Sequence, residues 1–418
     1  VVPIVPDEAR TFGMEGMFRQ LGIYSSVGQR YTPHDSTQIL FYKEDRKGQI
    51  LEEGINEPGA MSAWIAAATS YSNHNLTMVP FYIFYSMFGF QRVGDLTWAA
   101  GDQRARGFLI GATAGRTTLN GEGLQHQDGH SHLAAATIPN CVSYDPTYAY
   151  ELAVIVHHGL EVMYGRGESK YFYITTMNEN YVQPALPPGA EAGILKGMYL
   201  LQRGGKGKVR ANLLGSGTIL REVIRAAELL ERDFGVPADV FSVTSFSELR
   251  REALDAERWN LLHSEQPPRV PYVQEVLGEQ QGPFVAATDY MRIVADQIRQ
   301  WVPGSFHVLG TDGYGRSDSR AALRGFFEVD YRYVVLATLK LLADEGQLDL
   351  GVAGTAQLTA LQQQALALFE FQQRGNVRCR QQCRPTGGNG DPSVPAFARG
   401  FPGQSHRRGV RVCRHRAV

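Results

Sequence analysis

Residues 121–132 read Gly-Glu-Gly-Leu-Gln-His-Gln-Asp-Gly-His-Ser-His, which puts three imidazoles (His126, His130, His132) and two carboxylates (Glu122, Asp128) into one short Gly-rich segment. Two chemistries suit such a cluster. His-x3-His-x-His with a nearby Asp offers the ligand types that zinc or iron prefers, the basis for a metal hydrolase. Imidazoles beside carboxylates equally suit metal-free acid–base work, because the histidine pKa lies near working pH. A third reading is structural, with one or two of these rings hydrogen-bonding loop backbone.

Two further Gly-rich stretches invite comparison. Gly215-Ser216-Gly217 follows an apolar run as a dinucleotide fingerprint would, but the third Gly is missing and no acid ends a matching second strand. A structural turn is the expectation there. Residues 310–320 (GTDGYGRSDSR) could hold an anion through Arg316, Arg320 and backbone amides. The preferred reading is that Asp and Arg pair and fix a long loop. Cys379, Cys383, Cys413 and His415 do not fall at a standard zinc spacing.

The elements that must position these groups alternate between strand and helix. Residues 1–5 form a β run followed by a helix through Phe18 and Leu21, and Asn56 caps a helix that opens Glu57-Pro58 and carries Trp64. Residues 77–88 and 107–112 read as buried strands, the first with some helical character. Asp145-Pro146 announces a helix through Leu152, Val156 and Leu160, before a strand at 171–176. Residues 183–208 are rich in Pro and Gly and mark a domain boundary. Beyond it, 209–214, 220–234 and 239–243 make a βαβ unit. Strands at 284–287 and 307–309 bracket a helix at 291–301, and a last helix spans 331–343. The fold class is α/β, with domains at 1–186 and 187–350.

Composition narrows the function classes. The 418 residues carry 41 Lys and Arg against 42 Asp and Glu, a formal net charge of −1, which excludes a global attraction to nucleic acid or acidic lipid. No apolar run reaches the roughly 18 to 20 residues of a membrane-spanning helix. Of the four Cys, only Cys141 lies in the body, so no disulfide framework supports it and a reducing cytoplasm is the expected compartment. The chain opens Val1-Val2-Pro3 without a signal-like segment, which fits a trimmed chain or a piece of a larger protein. Between Arg374 and Arg416 ten Arg face one acid, Asp391, with little to bury. A disordered or out-of-frame tail over 351–418 is expected.

The segments 7–16 (DEARTFGMEG), 53–57 (EGINE), 81–90 (FYIFYSMFGF), 121–132 and 310–320 together resemble the homodimeric bacterial pyruvate dehydrogenase decarboxylating subunit, of the transketolase-like thiamine diphosphate superfamily. The resemblance runs from residue 1 to about 347. It covers two of that family's three α/β domains, the pyrimidine-binding domain and the C-terminal domain. The family's Gly-Asp-Gly and Asn-Asn magnesium–diphosphate motif is nowhere in the chain, so Mg2+ ligands are expected from a domain it lacks.

That resemblance implies oxidative decarboxylation of pyruvate and acetyl transfer to the lipoyl group of a partner acyltransferase, by a cytoplasmic homodimer. It implies that Glu57 hydrogen-bonds the cofactor pyrimidine and drives its tautomerisation, and that Phe88 stacks on that ring. Tyr85, Glu122 and His126 match residues facing the reacting carbon, with His126 placed to protonate or orient the substrate oxygen. Asp7 and Ile55 match positions at the pocket edge. The alternative is a non-catalytic fragment or split subunit that completes an active site only with a partner chain.

Overall fold

The computed structural model describes residues 1–6, 9, 12–32, 42–349, 351, 352 and 354. Asp7 and the expectations about the tail, from its disorder to its Cys and His residues, fall outside the described residues apart from Gly351, Val352 and Gly354. The described part belongs to one compact unit, Val1–Phe369.

Its first sheet has six strands in the order β4-β1-β5-β6-β8-β7. They are β1 (Val2–Val5), β4 (Leu51–Glu52), β5 (Pro80–Phe84), β6 (Phe108–Ala112), β7 (Cys141–Tyr144) and β8 (Tyr171–Thr176). Every pairing is parallel. Parallel strands covered on both faces read as unbroken apolar runs, and β8 is buried over its first five residues. A two-stranded ribbon, β2 (Ile23–Tyr24) and β3 (Glu44–Asp45), lies apart from it.

The second sheet runs β13-β12-β10-β11-β9, from β9 (Met198–Gln202), β10 (Ala211–Gly215), β11 (Ala238–Val243), β12 (Phe284–Ala287) and β13 (Phe306–Leu309). Edge strand β9 alone is antiparallel. The expected βαβ unit is β10, the helix Leu220–Phe234 and β11, with Gly235 ending the helix at φ 64°. The α/β class holds throughout. The cores interlock as well: Tyr148, which follows β7, packs into the core of the second sheet beside Leu220 and Val240.

Several elements differ from expectation for local reasons. The strand expected over 77–88 ends at Phe84, and a turn leads into the helix Gly89–Asp102 with Phe88 at its N-cap. Aromatic content signals a strand but does not mark where it stops. The helix expected after Asp145-Pro146 begins at Ala149, because Glu151 accepts from the Thr147 and Tyr148 amides at 2.6 and 3.0 Å and caps it there. The helix expected over 291–301 is broken into Arg292–Asp296 and a 3-10 turn Arg299–Trp301. Within the Pro- and Gly-rich stretch, the helix Glu191–Lys196 and β9 are ordered elements. Among the described residues no helix is long and apolar enough to cross a membrane.

One anchor matters most for the site. Trp64 is fully buried, donates from Nε1 to the Phe108 carbonyl at 3.0 Å and meets Tyr171 edge-on. It fixes the helix Glu57–Ala68 against β6 and β8, and thereby fixes where that helix begins.

Candidate active site

The carboxyl ends of adjacent parallel strands are where open α/β sheets present ligand-facing groups. At that end of the first sheet, β4 leads to Glu57, β5 to Tyr85 and Phe88, and β6 to the loop that carries Glu122 and His126. Neighbouring β5 and β6, paired Phe84 to Gly111, therefore deliver residues far apart in sequence to one place.

Three rings meet there. The Tyr85 and His126 centroids are 4.7 Å apart, Phe88 and His126 5.2 Å, and Tyr85 and Phe88 5.8 Å. Phe12 closes the group, edge-on to Tyr85 at 5.3 Å. His126 ends a 3-10 turn, Leu124–His126, and its Nδ1 is buried without a hydrogen bond. Glu122 Oε2 lies 3.7 Å from that nitrogen, within charge contact but beyond a good hydrogen bond.

Glu57 is the first residue of its helix, which Asn56 caps by accepting from the Gly59 amide at 3.1 Å, with Pro58 in the first turn. Glu57 is 7% exposed, and Arg92 Nη1 donates to its Oε1 at 2.5 Å. The same guanidinium lies 4.0 Å over the Phe88 ring. Arg92 therefore joins the carboxylate to the aromatic group. Tyr82, fully buried on β5, has a hydroxyl pushed well above its ordinary pKa by burial and by the Glu57 charge.

The three imidazoles of the loop go three ways. His130 Nε2 is 3.3 Å from Gln91 Nε2, and its backbone amide donates to Asp128 Oδ1. His132 is buried, with Nε2 3.0 Å from Thr175 Oγ1 on β8, and burial pulls its pKa down to about 4. Thr175 donates in turn to Asp145 Oδ1 at 2.7 Å. Among the described residues no three His, Cys, Asp or Glu side chains gather as a metal would need. The structural reading thus fits His130 and His132, while His126 alone of the three joins the aromatic cluster.

Residues 1–184 match the model of the pyruvate dehydrogenase E1 component middle domain, and residues 197–330 match that of the transketolase-like C-terminal domain. Over 358 residues the chain is 68% identical to the pyruvate dehydrogenase E1 component of Pseudomonas aeruginosa, covering 85% of this chain and 41% of that protein. Residues 1–184 thus belong with the pyruvate dehydrogenase E1 middle domains, and residues 197–330 with the transketolase-like C-terminal domains. The chain spans about two fifths of that relative's length. The fold is that of transketolases: the Leishmania mexicana enzyme superposes with a TM-score of 0.59 at 17% identity, over 82% of this chain and 42% of that one. A split-gene transketolase, described as an inactive β4 tetramer, superposes with a TM-score of 0.51 at 17% identity, over 80% of this chain and 97% of that one.

The expected residues separate cleanly. Glu57, Tyr85, Phe88, Glu122 and His126 stand at the same end of the first sheet. Ile55 is 72% exposed and belongs to none of the buried apolar clusters. Sequence reasoning missed Arg92 and Phe12. Arg92 had a readable signal, four residues after Phe88 on a helix and so on its face. Phe12 had none, because its contact with Tyr85 depends on the loop that follows β1.

The other Gly-rich segments are braces. Gly217 turns the chain at φ 49°, and its amide donates to the Asp145 carbonyl. In residues 310–320, Arg292 pairs with Asp312 at 2.5 Å, and Arg320 donates to the Thr118 carbonyl at 2.7 Å. The loop-fixing reading of that segment agrees with these bonds.

Proposed function

We propose that this chain supplies the pyrimidine-facing and substrate-facing residues of a thiamine diphosphate-dependent pyruvate dehydrogenase. The observation that carries this is the convergence of Glu57, Arg92, Phe88, Tyr85 and His126 at one sheet end, in a chain 68% identical to a pyruvate dehydrogenase E1 component. The residues fit the cofactor's ring: a buried carboxylate, an aromatic face beside it, and a buried orphan nitrogen on His126. When bound, thiamine diphosphate supplies the electron sink that lets a 2-oxo acid lose CO2.

The chain's own groups do the rest. Arg92 takes Oε1 of Glu57, leaving Oε2 to share a proton with a pyrimidine nitrogen in a charge-assisted bond. Phe88 offers its ring for stacking. Glu122 Oε2 stands beside His126 Nδ1, which leaves Nε2 as the atom to meet the substrate oxygen, donating to it whenever that nitrogen carries the proton. Tyr85 and Phe12 wall that position with apolar surface and keep water from it. Mg2+ and the diphosphate are assigned to residues beyond this match. Acetyl transfer to a lipoyl group of a partner acyltransferase, from a cytoplasmic homodimer, completes the reading.

The 418-residue chain alone is expected to release no CO2 from pyruvate with thiamine diphosphate and Mg2+, whereas a polypeptide of the relatives' full length carrying these residues releases it. CO2 release by the isolated chain overturns the assignment of the diphosphate site elsewhere. The second reading, a split subunit, draws support from the inactive split-gene transketolase of matching extent. Recovery of activity on mixing this chain with a separate polypeptide carrying the remaining segment would favour it.

A further inference from the structure

The second sheet's loop after β13 reaches back to the loop that carries His126. Gln127, the next residue, is 1% exposed, and its carboxamide acts like a third peptide group. The Arg316 amide donates to Gln127 Oε1 at 2.6 Å, and Gln127 Nε2 donates to the Arg316 carbonyl. One side chain therefore takes both hydrogen-bonding groups of a single residue, as a β-bridge partner would. Two main-chain bonds flank it: the Gly121 amide donates to the Asp318 carbonyl at 2.9 Å, and the Met291 amide to the Gly129 carbonyl at 2.8 Å. Arg116, buried on the approach to the loop, donates to the Thr311 carbonyl.

The approach is close enough to demand a glycine opposite. A Cβ on Gly315 would stand 2.5 Å from Gln127 Oε1 and 2.7 Å from Gln127 Cβ, too near for either to yield cheaply. His126, by contrast, has no side-chain hydrogen bond at Nδ1, and its orientation rests on the 3-10 turn, the ring contacts and the Glu122 carboxylate 3.7 Å away. The nearest hydrogen-bonded side chain in sequence is that of Gln127.

We propose that Gln127 is a positioning residue: by clamping the Arg316 backbone it makes the second α/β sheet set the placement of His126 against Tyr85 and the reacting carbon. This rests on the reading above that His126 contacts substrate. The buried pair of bonds is made by an uncharged amide that matches donor to acceptor in both directions, so neither Ala nor Glu can replace it. Glu keeps the acceptor for the Arg316 amide but sets a carboxylate oxygen against the Arg316 carbonyl.

Hydrogen exchange on the 418-residue chain tests the clamp, and turnover of a full-length polypeptide tests its consequence. In Gln127→Ala, amides in 123–130 and 315–318 are expected to exchange about tenfold faster or more while β6 and β8 keep their protection. The His126 ring resonances should lose their aromatic shift. In the full-length polypeptide kcat falls by about 10²-fold with KM for pyruvate nearly unchanged, the effect of a misplaced catalytic group. Gly315→Ala should reproduce both results from the opposite side, and so keeps the test open if Gln127→Ala fails to fold. Gln127→Asn, one methylene too short to bridge both groups, should not rescue.

Unchanged exchange and His126 resonances in Gln127→Ala and Gly315→Ala overturn the clamp. A loosened loop with normal kcat, where His126→Ala abolishes turnover, overturns the positioning role. Normal turnover in His126→Ala itself overturns the functional reading instead and leaves the clamp standing.

Discussion

His126 and His132 belong to one loop, six residues apart, and face opposite conditions. His126 is partly exposed, ringed by aromatic side chains and short of a hydrogen bond at Nδ1. His132 is sealed between the sheets, bonded to Thr175, edge-on to Tyr290 at 4.8 Å, and joined through Thr175 to Asp145. The difference follows from distance along the loop. Residues near its middle hang over the sheet end, whereas Ser131 and His132 already begin the helix Ser131–Ala136 that packs beneath. His126 is left with unused bonding capacity near the open end, and His132 has its capacity taken up inside.

The sealed region is a polar seam between the two sheets. Asp289 accepts from the Thr117 amide and from the Thr117 and Thr118 hydroxyls at 2.6 to 2.9 Å. Glu151 accepts from Tyr199 and Ser242 of the second sheet and from two amides of its own turn. A small cavity of about 10 Å³ is lined by His132, Asp145, Ser216 and Tyr290 among others, the size that holds one water. Asp145 Oδ2, buried with no hydrogen-bond partner, is the group such a water would satisfy.

The comparison breaks most visibly at Glu57. In a full-length polypeptide, Glu57→Gln should slow deprotonation of the cofactor's reactive carbon by about 10²-fold or more, the scale of an acid–base group. Stability should change little, because the amide still accepts from Arg92, whose side chain is 45% exposed. Hydrogen exchange at that carbon, followed by NMR beside a thermal melt, separates the two. An unchanged exchange rate would remove Glu57 from the reactive region.

The seam should respond to pH. Burial raises Asp145 to about 7, against hydrogen bonds from Thr175, Ser216 and Tyr290, with Asp289 raising it further. Its contribution to stability is therefore complete below about pH 4 and is lost as pH climbs toward 7. His132, lowered to about 4 by burial against the Asp128 charge, contributes fully above about pH 6.5 and loses that contribution as pH falls to 4. Folding in this window in effect moves a proton from the imidazole to the carboxyl, and the two slopes oppose. Asp145→Asn deletes one of them. Denaturant titrations between pH 4 and 7 should show the variant gaining on the parent as pH rises, by about 1.4 kcal/mol for each unit separating the folded and unfolded pKa. A difference independent of pH would mean that Asp145 is ionised in the fold.

Much of this was legible in the sequence, and the reason differs by region. Glu57, Phe88 and His126 sit in short segments whose residue types and order are distinctive, and the helix start at Asn56-Glu57-Pro58 is written in local capping chemistry. The seam was not legible. Asp145 announced a helix because Asp-Pro is a local signal, yet its side chain answers to Thr175 and Tyr290, 30 and 145 residues away. Gln127 carried no local signal within the His cluster because its partner is 189 residues on. Strand β7, four residues that include Ser143 and are wholly buried, lacks the length or pattern to stand out.

The smallest effect tests whether the reactive end is as locally built as it looks. Asn56 caps the Glu57 helix through one exposed bond to the Gly59 amide, so Asn56→Ala should cost about 1 kcal/mol and Asn56→Ser almost nothing. That cost should fall on the first turn alone. Trp64 holds the helix from its second turn onward through the Phe108 carbonyl, and the Glu57 to Arg92 bond crosses to another helix. Hydrogen exchange should therefore show faster amides at 59–61 with no change beyond Trp64, and turnover of the full-length polypeptide should fall only a few-fold as the Glu57 backbone frays. Were Asn56→Ala to loosen β6 or the His132 seam as well, the two regions would share one cooperative unit, and the separation of a locally built reactive end from a long-range structural seam would fail.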